Sequence, residues 1–539
     1  MVQALSTPGL NPLAFLERSA VVYPKKPAVI YGEQIITYAE FYQRVMRLAG
    51  ALKECGIKKG DRVAFLVPNL PSMLEANFGP LALGAVLVAL NTRLASREIA
   101  YILNHSGVKL LVFDSELAPT VRGFMDQVPA VENYVQVVDT QPPAEDIPGP
   151  QYEEFLTLAA QLPVREGPDS ELDTITINYT SGTTGLPKGV EYNSRGIYLN
   201  SLGEALEMGL NMESVYLWTL PMFHANGWCF PWAVTAVGGT HLCLRRVEPA
   251  EVYRLIKLHG VTHLCAAPTV LTSMYSAPEA EGQDLTGLNI VTAGAPPAPQ
   301  VIRTMEAMGA KISHVYGLTE TYGPCTISAP QPGWGALPLE EQARLKARQG
   351  VSYMVYGTGL RVVDEEMNDV AQDGMALGEV IMQGENVMAG YYQDREATET
   401  AMRGGWFHSG DLAVWHPDGY IELQDRAKDI IISGGENISS QEVEKVIMEH
   451  PGVLEVSVVG VPDDRWGEVP KAFVVRRQGM DVSAEDVIQF TRDRIAHFKC
   501  PRYVEFGELP KTATGKIQKF ILREKEWAGY DTRIHGSTA

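Results

Sequence analysis

The sequence predicts an α/β protein with a large N-terminal α/β domain and a small α+β domain after about residue 427. Three features of the chain point to it. Helical and strand patterns alternate over the first 115 residues, which implies a mostly parallel sheet covered on both faces. The apolar stretch over residues 78–90 is broken by Gly79, Pro80 and Gly84, so it reads as buried core and is too short for a bilayer span. After Arg426 the pattern restarts as a second unit, with no composition-biased linker to mark the join.

The elements follow in order. Thr37 and Glu40 form a T-x-x-E capping box, after which Phe41, Val45, Leu48 and Leu52 share one helical face. Gly56 stands where that helix should stop. A strand over 63–67, apolar 86–90, a helix over 97–103 and a strand over 110–113 complete the next cycle. The Pro-rich residues 141–150 read as a surface loop. The α/β pattern resumes at Thr174 and ends near Gln424 in a hairpin, where Val414-Trp415 and Tyr420 to Leu423 flank Pro417-Asp418-Gly419. In the second unit Ser439 and Glu442 cap a helix, strands are expected over 453–459 and 472–475, and a helix over 484–496.

Composition narrows the function. The 539 residues are 45% hydrophobic and 20% charged, the balance of a folded globular protein. Forty-five Lys and Arg against 65 Asp and Glu leave a net charge of −20, which disfavours nucleic acid as a partner and requires any anionic substrate to be held by local donors. Six cysteines without a C-x-x-C argue against a disulfide framework or zinc site. The first residues lack a cationic region followed by an apolar run, the last residues are not a peroxisomal address, and no transmembrane segment is expected. The predicted location is cytoplasmic. A homodimer is left open.

The strongest local signal is Tyr179-Thr180-Ser181-Gly182-Thr183-Thr184-Gly185-Leu186-Pro187-Lys188-Gly189, following a β-branched strand that begins at Thr174. Glycine N–H groups, four hydroxyls and the Lys188 charge suit a polyphosphate. The spacing is not that of a Walker loop, and the bland alternative is an ordinary Ser/Thr/Gly turn. His259 and His263 lack the acid of H-E-x-x-H, no G-x-S-x-G or G-x-G-x-x-G occurs, and His408 and His416 read as structural.

The run from Tyr179 to Gly189 resembles the phosphate loop of the adenylate-forming superfamily, which holds acyl-CoA synthetases, peptide-synthetase adenylation domains and beetle-type luciferases. The resemblance continues through Pro221-Met222-Phe223-His224, Ala293-Gly294-Ala295-Pro296, Tyr316-Gly317-Leu318-Thr319-Glu320, Gly390-Tyr391-Tyr392 and Trp406-Phe407-His408-Ser409-Gly410-Asp411. It closes with Asp425-Arg426-Ala427-Lys428-Asp429, Ser433-Gly434-Gly435-Glu436-Asn437 and Thr512-Ala513-Thr514-Gly515-Lys516. It spans about residues 10–530. It implies an N-terminal domain, 1–427, of layered α/β subdomains with a small β-barrel-like part, and a small mobile α+β domain, 428–539, carrying the catalytic lysine.

The resemblance also implies the chemistry. A carboxylate attacks the α-phosphate of ATP to give acyl-AMP and pyrophosphate, and CoA then takes the acyl group. Two anions meet, so preorganised donors and cations should dominate. Thr180, Ser181, Gly182, Thr183, Thr184, Gly185 and Lys188 would hold the phosphates, with Thr184 also near the α-phosphate. Thr319 would touch phosphate, and Glu320 with Thr184 would hold Mg²⁺. Gly294, Ala295 and Pro296 would approach adenine, Tyr316 would stack on it with Gly317 beside it, and Asp411 would take the ribose hydroxyls with help from Arg426. Lys516 would bridge carboxylate and α-phosphate, and Lys428 would be the hinge between two orientations of the small domain. Ser433, Gly434, Gly435 and Glu436 would line the pantetheine tunnel. His224 would stand beside the carboxylate with Gly317, and Trp228 would wall the acyl pocket.

One departure is that His-Arg-Gly, frequent after the phosphate loop in such synthetases, is Ser194-Arg195-Gly196 here. The segments His224 to Trp228, His314-Val315-Tyr316, Thr321 to Pro324 and the helix over 339–348 are similar to a branch that activates short- to medium-chain and substituted acids, methylthio-propionate-type and some aromatic acids included. The alternatives are another adenylate-former (aryl-CoA ligase, carrier-protein loading, luciferase-like oxidation) and a catalytically silent nucleotide-binding protein.

Overall fold

A computed structural model describes residues 9–139, 147–159, 166–180, 186–426, 429–433, 436–463, 465–512 and 517–528. Among these, the strands form four sheets. In the first, Thr174–Tyr179, Val86–Ala89, Arg62–Leu66, Val108–Asp114 and Asn133–Val137 lie parallel, and Gly189–Asn193 and Gly390–Tyr391 extend one edge antiparallel. In the second, the parallel run goes from Lys311–Leu318 through Asn289–Thr292, His263–Ala266, Val215–Leu217 and Thr240–Leu242 to Pro27–Tyr31, with antiparallel strands at both ends. The third is an antiparallel sheet of Leu360–Val363, Leu377–Met382, Phe407–Trp415 and Ile421–Arg426.

The local signals read from sequence appear as geometry. Glu40 donates its N–H to the Thr37 hydroxyl, and the Glu40 carboxylate accepts the Thr37 N–H at 2.8 Å, starting the helix Tyr38–Glu54 with Phe41, Val45, Leu48 and Leu52 buried. The helix stops at Cys55, and Gly56 follows at φ +82, a left-handed position suited to glycine. Residues 78–90 are all buried, the expected core.

Boundaries shift where packing overrides pattern. The helix expected over 97–103 is Ser96–Ser106. Residues 141–146 lie outside the described residues, but Ile147, expected on a surface loop, is buried, with its carbonyl accepting from the Gln136 amide at 2.6 Å. The helix expected over 484–496 is Ala484–Arg492, and a 3₁₀ turn His497–Lys499 follows.

The fourth sheet is built only of residues from Ile431 onward. Glu436–Ile438, Ile431–Ser433, Gly467–Arg476 and Val453–Asp463 are antiparallel, and Tyr503–Phe506 pairs parallel with Gly467–Arg476. Its faces are covered by two separate apolar clusters, one around Ile438, Val443 and Val474, the other around Val461, Phe473 and Leu522. The large core runs from Leu13 to Leu423 and includes no residue of this sheet. Where the chain passes between them, Asp425 accepts from both the N–H and the hydroxyl of Ser440, at 2.7 and 2.6 Å, and Lys445 pairs with Glu422 at 2.7 Å. Among the described residues no helix is long and apolar enough to cross a membrane.

Candidate active site

Three parallel strands deliver their carboxyl ends to one cavity, the usual location of ligands in open α/β sheets. Thr174–Tyr179 leads to Thr180, Asn289–Thr292 to Ala293-Gly294-Ala295-Pro296, and Lys311–Leu318 to Thr319-Glu320. The cavity is about 1920 Å³ and is lined by all three ends, together with Lys188, His224, Trp228, Asp411 and Arg426.

The phosphate-loop base is closed by the Thr180 N–H donating to the Lys188 carbonyl at 3.0 Å. Ser181, Gly182, Thr183, Thr184 and Gly185 lie outside the described residues. The exposed Lys188 ammonium stands 4.8 Å from the ring centre of Tyr391, a cation–π distance. The Tyr391 hydroxyl in turn donates to a Glu320 oxygen at 2.9 Å. Burial pushes the Glu320 carboxyl up from its ordinary value, against the pull of its own backbone N–H, Tyr391 and Arg426. Thr319 and Glu320 are fixed through their backbones: the Thr319 carbonyl accepts from the Tyr192 hydroxyl and the Glu320 carbonyl from the Met388 N–H. A partly buried carboxylate open to the same cavity as Thr180 and Lys188, the donors expected to hold phosphate, fits Mg²⁺, which takes one or two carboxylates plus phosphate oxygens.

Asp411, in the same cavity lining, is 4% exposed and both its oxygens are held. Oδ2 accepts from the Tyr316 hydroxyl at 2.7 Å and Oδ1 pairs with Arg426 at 3.1 Å. The turn before it is braced by Glu379, which accepts from the Gly410 N–H at 3.0 Å and contacts His408 Nδ1 at 2.7 Å. Gly294 has φ +88, and a Cβ there would meet open space, so its lack of a side chain leaves backbone bare to the cavity. Gly317 is glycine for a different reason: a Cβ would stand 1.8 Å from the Gly323 carbonyl oxygen.

His224 and Trp228 bracket an unusual turn. Ala225, Asn226, Gly227, Trp228 and Cys229 have φ of 46, 47, 57, 54 and 65°, five left-handed residues in succession. Each non-glycine residue there costs about 1–2 kcal/mol against the right-handed form, so the surroundings must enforce it. Trp228 is 6% exposed yet lines the cavity, and its Cβ packs 2.8 Å from where a Gly323 Cβ would stand.

Ser433 and Glu436 pair across the hairpin of the small sheet and do not line the cavity. Gly434, Gly435, Lys428 and Lys516 lie outside the described residues. Lys519, three positions beyond Lys516, does line it, its ammonium held by Ser440 at 2.5 Å and Glu444 at 2.9 Å. Sequence reasoning quoted Tyr391 without giving it work and set His408 aside. The Gly-Tyr-Tyr motif was the only available signal for the first. Glu379, in Gly378-Glu379, and Asp425, in Asp425-Arg426, likewise stand in motifs of the resemblance without a role read for them, since an acid in a strand is ordinarily a solvated one.

The family described as AMP-binding enzyme matches residues 16–392, and the AMP-binding enzyme C-terminal domain matches residues 442–516. The chain is 45% identical to 4-hydroxybutyrate–CoA ligase 2 of Metallosphaera sedula, over 96% of this chain and 94% of that one. It is 44% identical to the peroxisomal acetate/butyrate–CoA ligase of Arabidopsis thaliana, with the same coverage. Among solved structures it is similar to an anthranilate–CoA ligase in complex with anthranoyl-AMP, with TM-score 0.86 at 25% identity over 96% of this chain and 97% of that one. It is also similar to ATP-bound MatB of Rhodopseudomonas palustris, with TM-score 0.82 at 27% identity over 96% and 99%.

Proposed function

This chain belongs to the AMP-binding enzyme family, and from that premise we propose which residues run its reaction and on which acids. The protein is an AMP-forming acyl-CoA synthetase: a carboxylic acid and ATP give acyl-AMP and pyrophosphate, and CoA then takes the acyl group as a thioester. It uses ATP, CoA and Mg²⁺.

The observation that carries the residue assignment is the meeting of three strand ends at one cavity, with phosphate-type donors and a braced carboxylate in its lining. Thr180, Lys188 and the loop between them hold the polyphosphate, and Thr319 adds a contact. Glu320, steadied by Tyr391, holds Mg²⁺ with Thr184, and the ion when bound offsets charge on the phosphate oxygens. Gly294, Ala295, Pro296, Tyr316 and Gly317 frame adenine. Asp411 keeps acceptor capacity for both ribose hydroxyls, because each of its oxygens spends one site on Tyr316 or Arg426. His224 and Gly317 flank the acid carboxylate, and Trp228 closes the acyl pocket. Lys516 bridges the two reacting anions, which preorganises charge where it develops. The small domain, 428–539, turns about Lys428 so that Ser433 to Glu436 face the thioester step; the separate cores on either side of that residue support the division.

The proposed acids are short- to medium-chain or substituted carboxylates, in line with relatives named for 4-hydroxybutyrate, acetate and butyrate. The proposed location is the cytoplasm, supported by six unpaired cysteines. Carboxylate-dependent ATP–pyrophosphate exchange over straight acids of about two to twelve carbons tests the reading, with thioester measured with and without CoA. Exchange without thioester would indicate a carrier-loading or oxidative enzyme, and absence of both a silent nucleotide binder.

A further inference from the structure

Asn226 sits within the left-handed turn and is 0% exposed, yet both polar atoms of its amide have partners. Its Oδ1 accepts from the Thr176 hydroxyl at 3.1 Å and from the Asn178 amide at 2.6 Å. Its Nδ2 donates to Asn77 Oδ1 at 3.0 Å. Asn77 is itself anchored, its side-chain amide donating to the Met73 carbonyl at 2.8 Å and its backbone carbonyl accepting from the Trp232 indole at 3.2 Å. Thr176 and Asn178 lie on the strand Thr174–Tyr179, whose next residue, Thr180, opens the phosphate loop. One side chain therefore ties the segment between His224 and Trp228 to the strand that delivers the phosphate loop.

Asparagine suits both demands at once. It enters the left-handed region more readily than other residues with a Cβ, and only an amide both accepts and donates in the directions these partners require. A buried polar group of this kind is retained where position matters, because a partly satisfied one would destabilise the fold. We propose that Asn226 is a positioning residue for acid selectivity: it fixes the place of Trp228 and His224 relative to the phosphate loop, and so the length of acid accepted. This rests on the ligase reading above.

Asn226→Gly keeps the left-handed backbone available and removes the three bonds. Asn226→Asp keeps the oxygen that Thr176 and Asn178 address, and its carboxyl, held protonated by full burial, donates to the unmoved Asn77 Oδ1 in place of the lost amide N–H. Pyrophosphate exchange is measured for both over acids of two to eight carbons, with KM for acid and for ATP determined separately. In the glycine variant, KM for the preferred acid should rise roughly tenfold while KM for ATP stays within about twofold. The preference for that acid over one two carbons longer should fall at least about threefold, and the aspartate variant should recover most of both. Thr176→Val, which removes one donor and leaves the turn untouched, should move selectivity in the same direction by less and remains informative if the glycine variant does not fold. A uniform loss across all acids with a lowered Tm, or unchanged acid KM in both Asn226→Gly and Thr176→Val, would overturn the proposal. Absence of acid-dependent exchange in the wild type would overturn the ligase reading instead.

Discussion

The hydroxyl of Tyr391 donates to Glu320 across 71 residues of sequence at 2.9 Å, and the same ring underlies the Lys188 ammonium. One aromatic side chain thus supports both the proposed metal carboxylate and the cation at the end of the phosphate loop. Tyr391→Phe separates these duties, because it keeps the ring and loses the hydroxyl. A hydrogen bond to a charged acceptor is worth about 1.5–3 kcal/mol, so kcat/KM for ATP should fall about tenfold or more. The Mg²⁺ concentration for half-maximal exchange should rise with it. An unchanged Mg²⁺ dependence would remove Tyr391 from the metal site.

Asp411→Asn retains shape and withdraws the charge that faces Arg426. Buried and held by two partners, this carboxylate has no solvent to replace it. KM for ATP should rise about ten- to a hundredfold, while KM for the acid changes little. Equilibrium binding of AMP, measured by calorimetry, should weaken in step. Equal effects on both substrates would mean that the wall itself had collapsed.

Lys516→Ala should lower acid activation by at least about 10²–10³, the scale of one preorganised donor. Thioester formation from supplied acyl-AMP should be largely spared, since in the proposed mechanism that step uses the other orientation of the small domain. Loss of both steps together would contradict the bridging role.

His241 gives a prediction on pH. Burial pushes its pKa down to about 3, with the Lys26 charge adding to the effect. Its neighbours require the neutral ring: Nδ1 accepts from the Trp218 indole at 3.2 Å, and Nε2 meets Thr235, whose own hydrogen goes to the Pro231 carbonyl. The unfolded chain binds this proton near pH 6.5 and the folded chain does not until about 3, so stability falls as pH drops through that window, by at most about 1.4 kcal/mol per pH unit. His241→Gln should be less stable at pH 7 but show a shallower decline toward pH 4.5 in denaturant titrations. Parallel pH curves for the two proteins would refute it.

The elements legible in sequence were those specified locally. The Thr37–Glu40 box lies within one turn of helix, and the hairpin at Pro417-Asp418-Gly419 is set by its own turn residues. The left-handed turn was not legible. Asn226-Gly227 hint at it, but Ala225, Trp228 and Cys229 avoid that conformation on their own. They adopt it because Asn77 and Thr176, 149 and 50 residues away, hold Asn226. The role of Glu379 was hidden for the same reason: its hold on Gly410 and His408 arises only where two strands pair. Motif order located the walls of the cavity, and the bracing behind those walls required tertiary contacts.

The left-handed turn also bears on the shape of a substrate profile. Left- and right-handed backbone wells are separated by sterically forbidden ground, so such a segment cannot yield by small degrees as a flexible loop does. At the acyl wall proposed for Trp228, an acid one carbon too long meets a surface that either holds or flips. For this enzyme, activity plotted against chain length should therefore end in a step rather than a slope.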